Sequence, residues 1–236
     1  MRSYFVRESR VRGRGWGRYL SFSMVFLVSV AFSVPTVFAE SPPMRTVKVT
    51  PAKAKEGRAL FQQCLGCHGE GAKGTIGMGP RLNSESFLAA ASDEFLRRTI
   101  NQGRPMTTMI PWGAVLKPAQ VDAIIAYLRT LNSVGPATLD ESPLKGNAVE
   151  GAKLFDTICY GCHGRNGGGY QETANGTGIG RKGFLDGVTN GFLRHIIKHG
   201  KSETAMRGFY GPKTTVANLT AADIENIIAH LRSKAW

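Results

Sequence analysis

Two stretches decide the fold of this 236-residue chain: Cys64-Leu65-Gly66-Cys67-His68 and Cys159-Tyr160-Gly161-Cys162-His163. They contain all 4 cysteines of the sequence, and each has the pattern C-x-x-C-H. Two thiols at this spacing near the start of a helix can each add to one vinyl group of a porphyrin, and the histidine that follows can ligate the iron. The pattern therefore predicts covalent attachment of haem at both sites.

Other uses of paired cysteines fit this sequence less well. An exported protein with an even number of cysteines would by default form disulfides, but a histidine follows both pairs. A zinc ion would need four ligands in one place, whereas these pairs lie 95 residues apart with one histidine each. A thioredoxin-like role needs no histidine and expects a strand-rich context, which is absent.

The chain is an internal repeat that extends well beyond the two motifs. The matching segments are 56–64 with 150–159, 95–103 with 192–200, and 116–129 with 219–232. These segments have apolar residues at helical spacing, and Pro118 and Thr220 stand where a first turn or an N-cap is expected. Glycine-rich stretches separate them and predict loops. The pattern favours an all-α fold built from two similar domains.

The domain boundaries follow from the repeat and from composition. We expect domains at residues 47–134 and 146–236, joined by a linker at 135–145, because the region between the repeats has two prolines and no apolar periodicity. Residues 1–39 combine six arginines, an apolar run and a Val37-Phe38-Ala39 ending, which predicts a signal peptide cleaved after Ala39. An uncleaved membrane anchor is the alternative. Either way, the remainder is expected outside the cytoplasm, in the periplasm.

Each half resembles a class I cytochrome c: a helix that runs into C-x-x-C-H, a glycine-rich loop, a middle helix, a methionine loop and a final helix. The likeness covers nearly all of the chain after the signal peptide, so the sequence resembles a tandem dihaem cytochrome c. The resemblance implies an all-α fold, two covalently bound haem c groups and the transfer of single electrons between respiratory partners.

In that family the sixth iron ligand is usually a methionine after the middle helix. The first half offers Met106 and Met109, and Met109 fits better because a proline follows it closely. The second half offers Met206, which lies 43 residues after His163, against 41 residues from His68 to Met109. The residues expected to hold the two haems are Cys64, Cys67, His68 and Met109, and Cys159, Cys162, His163 and Met206.

Histidine is the rival sixth ligand. His195 and His199 are four residues apart on the second middle helix, but the repeat has Arg98 and Gln102 in their places, so a solvated helix face is the expected role. His230 replaces Tyr127 of the first half and is expected to be structural.

The halves depart from each other in two ways. Gly79-Pro80-Arg81-Leu82 resembles the family's G-P-x-L, whose proline carbonyl accepts a hydrogen bond from the ligating imidazole. The second half has Gly180-Arg181-Lys182-Gly183 nearby and no proline, which leaves its imidazole partner open. The second half also has one more residue between Gly151 and Cys159 than the first half has between Gly57 and Cys64. We therefore expect the two haems to differ in potential.

The function expected from these residues is electron transfer rather than catalysis, because two protein ligands would close each iron. The alternatives are a cytochrome subunit of a membrane-associated dehydrogenase or respiratory complex, and, less favoured, a dihaem enzyme such as a peroxidase. The formal net charge of +13 falls to +8 once residues 1–39 are removed. That surface suits an acidic redox partner or an anionic membrane, and without aromatic-basic interleaving it does not predict nucleic-acid binding.

Overall fold

A computed structural model describes residues 44–211 and 217–236, so the predicted signal peptide at 1–39 lies outside the described residues. Within them the fold is all-α, as predicted, with two isolated bridges and no strand. The helices of the first half are α1 (Pro51–Leu60), α2 (Leu65–His68), α3 (Glu85–Ala90), α4 (Asp93–Gln102) and α5 (Pro118–Thr130). Those of the second half are α6 (Ala148–Leu154), α7 (Tyr160–His163), α8 (Lys182–Leu185), α9 (Asn190–His199) and α10 (Ala221–Ser233).

The first and last helices of each half cross in close contact, α1 on α5 and α6 on α10. Each crossing is made at a glycine. A Cβ atom at Gly57 would overlap the carbonyl of Ala123, and one at Gly151 would overlap the carbonyl of Asn226. The absence of a side chain at these glycines therefore lets the two backbones touch. The contact fixes the position of α1 and of α6, the helices that precede the C-x-x-C-H segments.

The extra residue of the second half is absorbed directly before its motif. The first half makes a 3₁₀ turn at Phe61–Cys64, whereas the second makes a π turn at Phe155–Cys159. A π turn accommodates one more residue than the surrounding helix would, so Phe61 and Phe155 are both buried although the spacing to the motif differs.

An arginine joins the last helix of each half to its middle helix, buried in the first half and half-buried in the second. In the first half Arg129 donates to Asp93 and to the carbonyls of Leu88 and Ala91. In the second half the equivalent residue, Arg232, donates to Asn190 and to two carbonyls. The side-chain acceptor of this arginine is thus a carboxylate, Asp93, in the first half and a neutral amide, Asn190, in the second.

Both halves belong to one compact unit. Four phenylalanines, namely Phe87, Phe95, Phe184 and Phe192, form a cluster at their boundary. The ring centroids of Phe95 and Phe192 lie 5.6 Å apart, and those of Phe95 and Phe184 lie 6.2 Å apart. Aromatic pairs at these distances add to the stabilisation from apolar burial, so the boundary is a packed core rather than a loose contact.

The segment that joins the halves is extended and lies against both of them. The amide of Ala137 donates to the carbonyl of Ala89 in α3 (2.9 Å), and Arg194 of α9 donates to the carbonyls of Asp140 and Ser142. The segment predicted as a linker is therefore held in place by main-chain hydrogen bonds.

Candidate haem sites

The first motif lies on a short turn of helix with its histidine buried. His68 is the last residue of α2, and its Nδ1 lies 3.0 Å from the carbonyl oxygen of Pro80. A carbonyl can only accept, so Nδ1 carries the proton and the Nε2 lone pair is left for a metal. The Pro80 carbonyl predicted from the sequence is thus the hydrogen-bond partner.

The second motif has the same arrangement with a different partner. Nδ1 of His163 lies 2.8 Å from the carbonyl oxygen of Thr177, a residue that the sequence did not single out. A Cβ atom on Gly176 would press on the carbonyl of Cys162, just as one on Gly79 would press on that of Cys67. The counterpart of Gly79-Pro80 is therefore Gly176-Thr177, and residues 180–183 do not supply the acceptor.

A signal for Thr177 was present in the sequence. Leu82 follows Pro80 by two residues and Ile179 follows Thr177 by two, and both pack against the core. In both halves the residue that supplies the carbonyl follows a glycine and is followed, two places on, by an aliphatic residue. The first of these residues need not be proline, because the main-chain carbonyl of any residue can accept a hydrogen bond.

Electrostatics keeps both imidazoles neutral, which is the form that binds a metal. Burial is the largest effect and lowers the pKa of His68 and of His163, while the carbonyl acceptors oppose that shift. Positive charges lower both pKa values further: Lys201 acts on both rings, and Arg104 also acts on His68.

None of the four cysteines, all of which lie in the described ranges, is joined to another in a disulfide. Burial, followed by the neighbouring cysteine, raises the pKa of Cys64 to about 11 and that of Cys159 to about 12. In the part of the chain that the structure describes, no three His, Cys, Asp or Glu side chains are grouped to hold a metal ion. Two free thiols beside an oriented neutral imidazole fit covalent haem c, and this donor set is too small for a zinc site.

The two methionine loops have the same backbone hydrogen bonds. The amide of Arg104 donates to the carbonyl of Met109 (2.8 Å), and the amide of Lys201 donates to that of Met206 (2.8 Å). In each loop the hydroxyl of a threonine, Thr107 or Thr204, accepts from the amide of the methionine at 3.1 Å. Met109 and Met206 therefore occupy equivalent positions.

The alternative methionine lies elsewhere in its loop. Met106 is 71% exposed and has a φ of +59°, and the equivalent residue, Glu203, has the same φ. Met109 is only half-buried, while Met206 packs against the hydrophobic core. In the second half the position of Met106 is therefore taken by a carboxylate, that of Glu203, whereas the position of Met109 is again a methionine, Met206.

The remaining histidines have other surroundings. The rings of His195 and His199 lie 4.5 Å apart on α9, where His199 is exposed and His195 half-buried. His230 is buried against Phe155 with ring centroids 5.4 Å apart, which matches the pair of Phe61 and Tyr127 at 5.3 Å. His230 therefore takes the packing role of a tyrosine.

Within residues 44–211 and 217–236, the helices are too short or too polar for any of them to cross a membrane.

Comparison with known proteins matches each half to a family. Residues 52–128 match the family described as cytochrome C oxidase, cbb3-type, subunit III, and residues 148–235 match the family described as cytochrome c. Each match contains one C-x-x-C-H motif and the methionine loop that follows it.

Curated relatives match across both halves. The chain is 30% identical to the Cbb3-type cytochrome c oxidase subunit FixP of Azorhizobium caulinodans over 56% of this chain and 44% of that protein. It is also 30% identical to the subunit of the same name from Bradyrhizobium sp., over 70% of this chain and 58% of that protein. The chain therefore spans about half the length of the curated relatives it matches.

A solved structure shares the fold of nearly the whole described chain. It belongs to a reducing HAO-like protein complex of Kuenenia stuttgartiensis, with a TM-score of 0.50 and 20% identity over 81% of this chain and 99% of that one. At this identity the likeness concerns the fold alone.

Proposed function

We propose that this chain, a c-type cytochrome with two cytochrome c domains in tandem, carries single electrons between respiratory redox partners outside the cytoplasm. Two such domains imply two covalently bound haem c groups, each of which supplies one Fe(III)/Fe(II) couple. The domains are proposed at residues 47–134 and 146–236, with 135–145 between them and an export signal at 1–39.

One observation carries the proposal: the chain builds the same set of candidate ligands twice. In each half a neutral histidine is oriented by a main-chain carbonyl, and a methionine follows in a loop whose hydrogen bonds match those of the other half. An iron held by protein on both faces has no position for a substrate, so its chemistry is electron transfer without bond making.

The residues of the chain then have distinct tasks. Cys64, Cys67, Cys159 and Cys162 fix the two haems covalently. The carbonyls of Pro80 and Thr177 orient the imidazoles and increase their basicity. Met109 and Met206 are proposed as the sixth ligands, which place the potentials above those of bis-histidine haems.

The protein surface near the first site suits a protein partner. Ile76, Met78, Met106, Ile110 and Val115 are exposed apolar residues in the two loops around that site. In the second methionine loop the positions of Met106 and Ile110 are taken by Glu203 and Arg207. Lys73 and Lys117 are exposed next to the apolar residues in sequence, so the partner proposed here presents an apolar contact with acidic residues around it.

A second candidate role is that of a subunit in a larger respiratory complex. The observation that favours it is the match to an oxidase subunit over 70% of this chain. The electron-transfer chemistry is the same in both roles. Purification from membranes in mild detergent separates them: a soluble single species contradicts the subunit role, and retention in washed membranes contradicts cleavage of the segment at 1–39.

The central experiment measures haem content and ligation in the purified protein. We expect two haem c groups per chain by pyridine haemochrome assay, and a reduced protein that does not bind carbon monoxide at neutral pH. Met109→Ala and Met206→Ala should each open one haem to carbon monoxide and lower its potential, whereas Met106→Ala should behave as wild type. Rapid binding of carbon monoxide to the wild-type protein would contradict electron transfer as the sole function.

A further inference from the structure

Three basic side chains meet where the two halves pack together. Arg81 belongs to the first glycine-rich loop, and Arg104 and Lys201 are the first residues of the two methionine loops. Each of the latter two follows a glycine that ends a middle helix with a positive φ, Gly103 at +63° and Gly200 at +70°. The repeat therefore places a cation at the same point of each half.

Each of these two cations reaches across to the opposite half. The guanidinium of Arg104 lies 4.8 Å from the ring centroid of Phe184. The ammonium of Lys201 lies 4.8 Å from the ring centroid of Phe87, and it donates to the carbonyl of Arg81 at 2.8 Å. Phe87 and Phe184 are equivalent in the repeat, so the two contacts are reciprocal: each half places its cation on the same phenylalanine of the other half.

The described residues provide little negative charge to balance this cluster. Glu203 pairs with Arg81. Burial lowers the pKa of Arg104 to about 10 and that of Lys201 to about 8, and no carboxylate in the described ranges lies near enough to raise either pKa. The positive charges of Arg104 and Arg81 lower the pKa of Lys201 further. Partly buried cations without a counter-charge are costly, which indicates that an anion belongs beside them.

The cluster also lies close to both haem sites. Arg81, whose carbonyl accepts from Lys201, directly follows Pro80, whose carbonyl accepts from Nδ1 of His68. The amides of Arg104 and Lys201 donate to the carbonyls of Met109 and Met206, so each cation also belongs to one candidate sixth-ligand loop. Haem c carries two carboxylates, which makes it the anion that the proposed function itself brings to this place.

We propose that Lys201 and Arg104 form one cationic site at the boundary of the two halves, which binds carboxylates of both haems and raises both potentials. This inference rests on the proposed function. A positive charge near an iron stabilises the reduced state, because reduction removes one positive charge from the site. One lysine that acts on both sites would therefore shift both potentials in the same direction.

The test is a potentiometric titration of the dihaem protein and of charge variants at the site. Lys201→Gln should shift the reduction equilibrium of both haems about tenfold toward the oxidised state, which is 59 mV for a one-electron couple. Lys201→Arg keeps the charge and should restore most of the potential. Lys55→Gln removes an exposed lysine from α1 and should leave both potentials unchanged.

Arg104→Gln tests the other half of the site, and it should lower the potential of the first haem more than that of the second. It also serves if Lys201→Gln does not fold. A redox-difference infrared spectrum supplies the second readout, since loss of Lys201 should shift the bands of the haem carboxylates.

The outcomes separate this inference from the proposed function. If the protein contains no haem c, the proposed function fails. If it contains two haems, and Lys201→Gln and Arg104→Gln change potentials and carboxylate bands no more than Lys55→Gln does, the inference alone is wrong. If added phosphate lowers both potentials of the wild-type protein and Lys201→Gln abolishes that effect, the site binds a free anion and the assignment to haem carboxylates is overturned.

Discussion

The carboxylate of Asp93 is fully buried and accepts four hydrogen bonds. Its Oδ1 accepts from Nε (2.9 Å) and Nη2 (2.7 Å) of Arg129, and its Oδ2 accepts from the amides of Thr46 (2.7 Å) and Val47 (2.8 Å). Asp93 also opens α4, the helix that leads into the first methionine loop. Asp93→Ala would leave a buried guanidinium without its counter-charge and two amides without an acceptor.

The expected loss is about 3–5 kcal/mol of unfolding free energy, the usual result of removing one partner of a buried ion pair. That corresponds to roughly 6–20 °C in Tm for a chain of this size. Asp93→Asn should be intermediate, because the amide oxygen can still accept from Arg129, as Asn190 accepts from Arg232, while its NH₂ group would face the two amides.

The assay is urea unfolding of the holoprotein followed by far-UV circular dichroism, with the haem spectrum as a check that the native state is unchanged. Asp122→Ala is the matched control. It removes the partner of Arg97 from a pair whose side chains are 24% and 30% exposed, so it should cost no more than about 1 kcal/mol. If Asp93→Ala is as mild as Asp122→Ala, the buried pair does not hold the middle helix and the reasoning is refuted.

The remaining predictions concern the helix crossing, the histidine pair and the order of the potentials. Gly57→Ala should destabilise the protein by about 1–3 kcal/mol through overlap with the carbonyl of Ala123, whereas Gly135→Ala, which has open space around it, should be nearly neutral in the same urea titration. The double variant His195→Ala/His199→Ala should retain both haems and their spectra, and loss of a haem would show that one of these residues is a ligand. The first haem should have the higher potential, with each potential assigned through Met109→Ala and Met206→Ala; the reverse order would contradict the electrostatic argument.

The local chemistry of the sites was accessible from the sequence because it repeats at fixed spacing. The two motifs and the middle and final helices follow from residue types and periodicity, and the Pro80 acceptor follows from the resemblance to class I cytochromes c. Pro118 is the first residue of α5 and Thr220 is the N-cap of α10, as expected. Thr177 was missed because its role belongs to the backbone carbonyl, which any residue type can supply, so only the spacing of Gly176 and Ile179 around it marked the position.

Contacts distant in sequence were beyond the same reasoning. An apolar stripe on α4 and on α9 predicts that each helix buries a face, but not that Phe95 and Phe192 bury theirs against each other. The roles of Arg129, Arg104 and Lys201 were hidden for the same reason, because basic residues are most often solvated and only the packed structure shows these three to be enclosed.

The two halves share a fold, and their differences concentrate around the irons. Both imidazoles donate to a main-chain carbonyl at a similar distance, so this hydrogen bond distinguishes the sites little. The surrounding charge distinguishes them more, because Arg104 belongs to the first methionine loop and Lys201 reaches across from the second loop to the carbonyl of Arg81, next to Pro80. Cations gathered near an iron disfavour its oxidised state, so electrons within one chain should rest on the first haem. The exposed apolar residues lie around that same site, so we expect the electron acceptor to dock on the first half.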